Sequence, residues 1–81
     1  MRLLRMKPGH GEVLVTEGDV QLHEDHRRLV AAFRQQLDEG LWAAVPVSAA
    51  DGKRQALMVS RFEDVPADAE RVIFFPHANG G

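Results

Sequence analysis

A short apolar run near the end of the chain, Val72-Ile73-Phe74-Phe75, restricts the possible folds more than any other segment. All four residues are apolar, so both faces of the strand they would form are apolar. This is typical of a β-strand covered on both faces. A chain of 81 residues can build only one small core. The run therefore predicts a strand inside a single sheet rather than at its rim.

The first residues predict a β-hairpin. Residues 2–6 and 12–16 are short and rich in apolar side chains, and the Pro-Gly-His-Gly segment at 8–11 suits a reversal of direction between them. His10 lies between the two glycines at the tip of this turn. We expect it to be a solvated turn residue.

One longer segment has the periodicity of an amphipathic helix, running from about Val20 to Glu39. Asp19 is expected to cap its N-terminus with its carboxylate, and Gly40 to end it. The stripe predicts one helix lying against one sheet. Its members are Leu22, His26, Leu29, Val30, Phe33 and Leu37.

The second half of the chain predicts two further strands and a connection. Residues 41–47 form the first of these strands, and Pro46 restricts it to a sheet edge or interrupts it. The Asp51-Gly52 pair predicts a turn, which is followed by a strand within residues 54–61. Residues 62–69 then form a connection that includes one short helical turn around its proline.

The order of elements predicts an α+β fold in which a sheet of about five strands carries one main helix across one face. The most economical arrangement places the last strand in the middle, beside the first. This is the β-grasp, or ubiquitin-like, architecture. We expect a single domain over residues 1–76 and a flexible tail over residues 77–81.

Composition narrows the classes of function. Ten basic and twelve acidic side chains give a net charge of −2, which is not the basic surface typical of a nucleic-acid-binding domain. The chain contains no cysteine, which excludes disulfides and thiolate chemistry. The opening residues do not form a signal peptide, and no apolar run approaches the length of a membrane span. We therefore expect a cytoplasmic protein that binds neither nucleic acid nor membrane.

Few residues suggest catalysis or metal binding. His23 and His26 are three apart on the helix, whereas the zinc-protease pattern needs histidines four apart, and we expect His26 to be a partly buried structural residue. The two serines, Ser48 and Ser60, lack the nucleophile-elbow pattern. Trp42 either closes the core beneath the end of the helix or serves as an exposed anchor for a partner. We predict no metal site and no enzymatic activity.

The C-terminal residues resemble the tail of molybdopterin-synthase small subunits and thiamine sulfur carriers. Those proteins typically end in an acidic residue, a Val-x-Phe-Phe-Pro-like strand, a few variable residues and Gly-Gly. The positions that match here are Val72, Phe74, Phe75, Pro76, Gly80 and Gly81. Residues 67–71 depart from the Gly-Asp-Glu-like turn common in that family, and the predicted helix is longer than expected for it.

The resemblance implies a carrier rather than an enzyme. A partner adenylating enzyme would use ATP to activate the Gly81 carboxylate, and a downstream sulfur acceptor or a target protein would receive the product. Gly80 and Gly81 would enter the partner's site, because glycine has no Cβ to collide with a narrow channel. Phe74, Phe75 and Pro76 would anchor the base of the tail, partly as core and partly as docking surface. For the two phenylalanines the favoured interpretation is a place in the core. No cofactor is expected on the chain itself.

A second class of function is a binding or assembly module whose Gly-Gly ending is incidental. Its contact surface would be a strand edge near residues 42–47 or the sheet face opposite the helix. Loss of Gly80 and Gly81 separates the two classes, since a carrier would lose all function while staying folded.

Overall fold

The computed structural model describes residues 1–76, and the predicted tail at 77–81, with Gly80 and Gly81, lies outside the described residues. The elements agree with the predicted order. They are β1 (Arg2–Lys7), β2 (Gly11–Glu17), α1 (His23–Asp38), β3 (Leu41–Ser48), β4 (Arg54–Val59), a 3₁₀ turn (Phe62–Asp64) and β5 (Arg71–Pro76).

The five strands form one mixed sheet in the order β2-β1-β5-β3-β4, with α1 packed across one face. β5 pairs with β1 in parallel and with β3 in antiparallel orientation. The α+β class, the five strands and the central position of the last strand are confirmed. This arrangement is compatible with a β-grasp.

The core lies between α1 and the sheet. Leu29 and Phe33 of the helix, Leu3 of β1, and Val72 and Phe74 of β5 are all fully buried. The rings of Phe33 and Phe74 meet edge to face at 5.5 Å between centroids, a favourable geometry for aromatic pairs. Leu29 and Phe33 of the predicted stripe therefore meet the apolar last strand as expected. Leu22 and His26 of the same stripe are exposed instead.

The helix ends where Gly40 predicts but begins later than expected. Gly40 has a φ of +92°, the left-handed backbone that favours glycine after a helix, and its N–H donates to the Leu37 carbonyl at 2.9 Å. At the other end, Leu22 and not Asp19 occupies the capping position, with no side-chain hydrogen bond. The predicted Asp19 cap is therefore wrong.

Asp25 and Arg28 instead organise the entry to the helix. Asp25 Oδ2 accepts the Asp19 backbone N–H at 2.9 Å, and its Oδ1 accepts from Arg28 at 3.1 Å. Arg28 also donates to the Glu17 carbonyl at 2.6 Å and to the Thr16 hydroxyl at 3.2 Å. These contacts tie the end of β2 to the first turns of α1.

Pro46 does not place β3 at an edge, because β3 lies between β5 and β4. The Ala49 N–H donates to the Lys53 carbonyl at 2.8 Å, so the backbone groups of Ala49 point towards the β4 side. Backbone groups alternate in direction along a strand, and those of Pro46, three residues earlier, therefore point towards β5. Pro46 has no N–H to donate there, and pairing with β5 indeed stops at Ala44. Pro46 thus interrupts one side of the strand, while its pairing with Ala56 of β4 continues on the other.

The two predicted turns are confirmed, and the helical turn is displaced. Pro8 and Gly9 form the centre of a type II turn, in which Gly9 has a φ of +80° and the His10 N–H donates to Lys7 at 2.9 Å. The Asp51-Gly52 turn connects β3 to β4. The 3₁₀ turn ends at Asp64, ahead of Pro66 rather than around it.

Replacing Leu29 by Ala should lower the free energy of unfolding by about 2–5 kcal/mol, because it leaves a cavity in a fully buried site. Leu22→Ala is the matched control on the same helix, since Leu22 is 56% exposed and should change stability by no more than about 0.5 kcal/mol. Urea denaturation measures both. Equal losses of unfolding free energy for the two variants would contradict the burial of Leu29 against the sheet.

The pH dependence of stability should contain a contribution from Asp25. The hydrogen bond from the Asp19 backbone N–H lowers the pKa of Asp25, desolvation opposes this shift, and Arg28 lowers the pKa further. A folded-state pKa below the unfolded value of about 3.9 stabilises the fold above that pH, and this stabilisation is lost as pH falls through the folded-state pKa.

Asp25→Asn should therefore lower the urea midpoint at about pH 7, with a smaller difference from the parent chain below about pH 3.9. The control is Glu24→Gln. It removes the other first-turn carboxylate, which does not hold the Asp19 backbone N–H. A difference for Asp25→Asn that stays constant with pH would contradict the assignment.

Candidate functional site

No other element within residues 1–76 covers the sheet face opposite the helix, and this face carries a row of apolar side chains across all five strands. Strand pairing places Leu14 beside Leu4, Leu4 beside Ile73, Ile73 beside Ala44, and Ala44 beside Met58. Paired residues share a face of the sheet, and residues two apart on a strand share it as well. This row is therefore continuous from one edge of the sheet to the other.

A second, shorter row lies next to the first. Trp42 and Phe75 are paired between β3 and β5, and their rings meet edge to face at 6.1 Å between centroids. Met6 lies two residues after Leu4 on β1 and shares a surface groove with Phe75 and Pro76. We call the large apolar residues of both rows the open-face cluster. Its members are Leu4, Met6, Leu14, Trp42, Met58, Ile73 and Phe75.

The open-face cluster is accessible to a partner. Four of its members are 40–49% exposed, namely Met6, Leu14, Trp42 and Met58. Leu4, which lies between Leu14 and Ile73 in the first row, is only 7% exposed. An apolar patch that runs across a whole sheet face is unusual for a monomer surface and typical of a binding site.

Charged residues border the open-face cluster. Arg2 and Arg71 lie side by side at the start of β1 and β5, and Arg71 forms an ion pair with Glu12 of β2 at 3.7 Å. Glu12 is paired with Met6, so this ion pair lies across the row that contains Leu4. The open face therefore combines apolar side chains with charged ones, as protein–protein interfaces do.

The two phenylalanines at the end of β5 have different environments. Phe74 is fully buried beneath the helix, as the core interpretation predicts. For Phe75 the core interpretation is wrong. Phe75 faces the opposite side, is half-buried against Trp42, and is followed by an exposed Pro76. Alternation along the strand explains the difference, because neighbouring residues point to opposite faces.

Trp42 does not close the core beneath the helix. It is 46% exposed on the open face, which contradicts the core interpretation and agrees with the anchor interpretation. The predicted strand edge near residues 42–47 is also wrong, because β4 pairs with β3 along residues 43–48. Of the two contact surfaces considered for a binding module, the face opposite the helix is the one the fold leaves open.

The remaining candidate residues do not form a site. His10 is exposed at the hairpin turn, as expected. His23 is exposed, and His26 is exposed rather than partly buried, with its ring edge-on to Phe62 at 5.4 Å. Within residues 1–76, no group of three or more histidine, aspartate or glutamate residues could hold a metal ion. None of the helices in this range is long and apolar enough to cross a membrane.

Leu4, Met6, Leu14 and Met58 were not identified as site residues from the sequence. The available signal is the presence of adjacent large apolar residues within short strands, as in Leu3-Leu4 and Leu57-Met58. A strand with one wetted face normally alternates apolar and polar residues, so adjacent pairs indicate that both faces are apolar.

Leu14→Lys should leave the free energy of unfolding within about 0.5 kcal/mol of the parent chain, because Leu14 is about half exposed. Leu4→Lys, directly opposite on β1, should cost about 3 kcal/mol or more, because it places a charge in a 7% exposed position. Urea denaturation of the two variants checks this. Similar losses would show that the open face is covered in solution.

Comparisons of the chain with protein-family models, with curated proteins and with solved structures gave no match.

Proposed function

We propose that this chain is a small β-grasp carrier or modifier of the ubiquitin-like class. An ATP-dependent adenylating enzyme would activate the Gly81 carboxylate, either for sulfur transfer as a thiocarboxylate or for conjugation to a target protein. The observation that supports this most is the placement of β5. It is the middle strand of the sheet, its Phe75 belongs to the open-face cluster, and Gly80-Gly81 follows Pro76 by only a few residues.

The proposed chemistry takes place on the terminal carboxylate. A Gly81 carboxylate oxygen would attack the α-phosphorus of ATP, and pyrophosphate would leave. This converts a poor electrophile into an acyl adenylate. Hydrosulfide attack at the same carbonyl would expel AMP and leave a thiocarboxylate. Attack by a lysine amine would instead form an isopeptide bond, with loss of AMP and a proton.

The short separation between Pro76 and Gly81 supports docking close to the end of β5. Gly81 is five residues after Pro76, and five residues span at most about 17 Å. An enzyme that acts on Gly81 would therefore place its active site within that distance of Pro76. The Trp42–Phe75 pair and the adjacent groove lined by Met6 and Pro76 lie at this end of the sheet. We infer that the activating enzyme binds the open-face cluster.

The body of the protein would supply recognition and not catalysis. Trp42 is the strongest candidate for an energetic anchor, since exposed tryptophans in an apolar patch often dominate binding. The charges of Arg2, Arg71 and Glu12 would fix the orientation of the partner. In this proposal the chain binds no cofactor, acts in the cytoplasm, and has as partners the adenylating enzyme and a sulfur acceptor or target protein.

A binding or assembly module remains the second candidate. The open-face cluster favours it independently of the tail, because an accessible apolar sheet face can dock a partner without any reaction at Gly81. Gly80 and Gly81 would then be incidental.

The intact mass of the untagged protein, isolated from its native cells without reducing agents, tests the proposal. We expect either replacement of a terminal oxygen by sulfur or a fraction joined through Gly81 to other proteins. Deletion of Gly80-Gly81 should abolish both products and leave the urea midpoint unchanged. A parent chain that stays unmodified after incubation with ATP and native cell extract would contradict the carrier function and leave the binding module.

Trp42→Ala separates docking from chemistry in the same assay. It should slow modification by about tenfold or more at limiting extract, because docking is weakened while Gly81 is retained. Val13→Lys is the control, since Val13 is similarly exposed but is paired with Arg5, away from the open-face cluster. Equal rates for Trp42→Ala and the parent chain would exclude this face as the docking surface.

A further inference from the structure

The outer edge of β4 is open in the described part of the chain, because β4 is the last strand of the sheet. The Ala49–Lys53 hydrogen bond sets the alternation of the β3–β4 ladder. Every second residue of β4 is directed towards β3, and the backbone groups of Arg54, Ala56 and Met58 are directed outwards. These outward N–H and C=O groups can accept another strand.

The middle of this edge lacks the features that usually prevent strand pairing. Ala56, Leu57, Met58 and Val59 carry no charge and no proline between them. Leu57 and Met58 are 41% and 49% exposed, on opposite faces of the sheet. The other edge strand, β2, carries Glu12 and Glu17 and pairs with β1 through an irregular register, and both features discourage strand addition.

The helix leaves space beside β4. α1 packs on β1, β2, β3 and β5. A groove of about 520 Å³ at the end of β4 is lined by residues of both faces, among them Leu37, Val59, Trp42 and Met58. On the helix side of the sheet, apolar side chains of an added strand would lie against Leu57, which is paired with the buried Val45. On the other side they would extend the row of the open-face cluster that ends at Met58.

Charge at the two ends of β4 identifies the added strand. The end near the turn carries Lys53 and Arg54 with one carboxylate, Asp51. At the other end Arg61 is shared between Glu63 at 3.6 Å and Asp64 at 3.3 Å, so carboxylates outnumber the cation. An antiparallel copy of the same segment brings the basic end of each chain against the acidic end of the other. A parallel copy would bring like ends together.

We propose that β4 pairs in antiparallel orientation with β4 of a second copy of this chain, which joins two sheets into one. Ala56 and Met58 exchange backbone hydrogen bonds with the second strand, and Leu57 packs against apolar side chains of the second copy. The contact covers one short strand per chain, so the dimer is weak and sensitive to salt. It depends neither on the tail nor on activation at Gly81.

Sedimentation velocity from about 1 μM to about 1 mM tests the proposal. The parent chain should shift from monomer to dimer with concentration. Ala56→Pro should remain monomeric, because it removes an outward N–H without removing a donor to β3. Ala56→Val keeps the N–H and should dimerise like the parent chain. Deletion of Gly80-Gly81 should also leave dimerisation unchanged, which separates this test from that of the carrier function.

Charge reversal gives a second test that does not depend on how well Ala56→Pro folds. Lys53→Glu with Arg54→Glu should weaken self-association at low salt by about tenfold, and so should Glu63→Lys with Asp64→Lys. A mixture of the two double variants should form a heterodimer. Failure of the mixture to associate would overturn the proposal. So would a parent chain that stays monomeric at the highest concentration, or a dimer abolished by Leu14→Lys and unaffected by Ala56→Pro.

Discussion

The parallel pairing of β1 with β5 is the contact on which the rest of the structure depends. These strands come from opposite ends of the described chain, and parallel neighbours cannot be joined by a tight turn. The intervening elements must therefore cross the sheet, and α1 makes the crossing. Leu3 and Val72 lie side by side in this pairing, both fully buried in the cluster that includes Leu29 and Phe33. The pairing of β1 with β5 and the burial of Leu29 and Phe33 therefore belong to the same core.

Because β5 lies in the middle of the sheet, its two faces have different roles. Phe74 fills the core against Phe33, while Phe75 reaches the opposite face and meets Trp42. Both roles follow from the two-residue period of a strand that has neighbours on each side. The core thus holds the strand in position, and the same strand carries part of the open-face cluster at its end, beside Pro76.

The dimensions of one helix and five strands explain why so much apolar surface is accessible. Five strands spaced about 4.8 Å apart span roughly 20 Å, whereas a helix with its side chains is about 10–12 Å across. One helix of 16 residues therefore covers β1, β2, β3 and β5 on one face, and no described element covers the opposite face or the outer edge of β4. The open-face cluster and the β4 edge are the two surfaces that result. They meet at Met58, but the cluster presents side chains whereas the edge presents backbone groups.

Elements that depend only on neighbouring residues could be predicted from the amino-acid sequence. These elements are the turns at Gly9 and Gly52 and the end of the helix at Gly40, because backbone conformation is a local property. The position of residues 72–75 inside the sheet could also be predicted, because the run is apolar on both faces. The start of the helix could not, since the Asp25–Arg28 contacts with β2 replace the Asp19 cap. The internal position of Pro46 and the outward orientation of Trp42 became clear only from the folded chain. Both depend on which strand lies next to β3 and on which face the helix covers, and these are set by contacts between residues distant in the sequence.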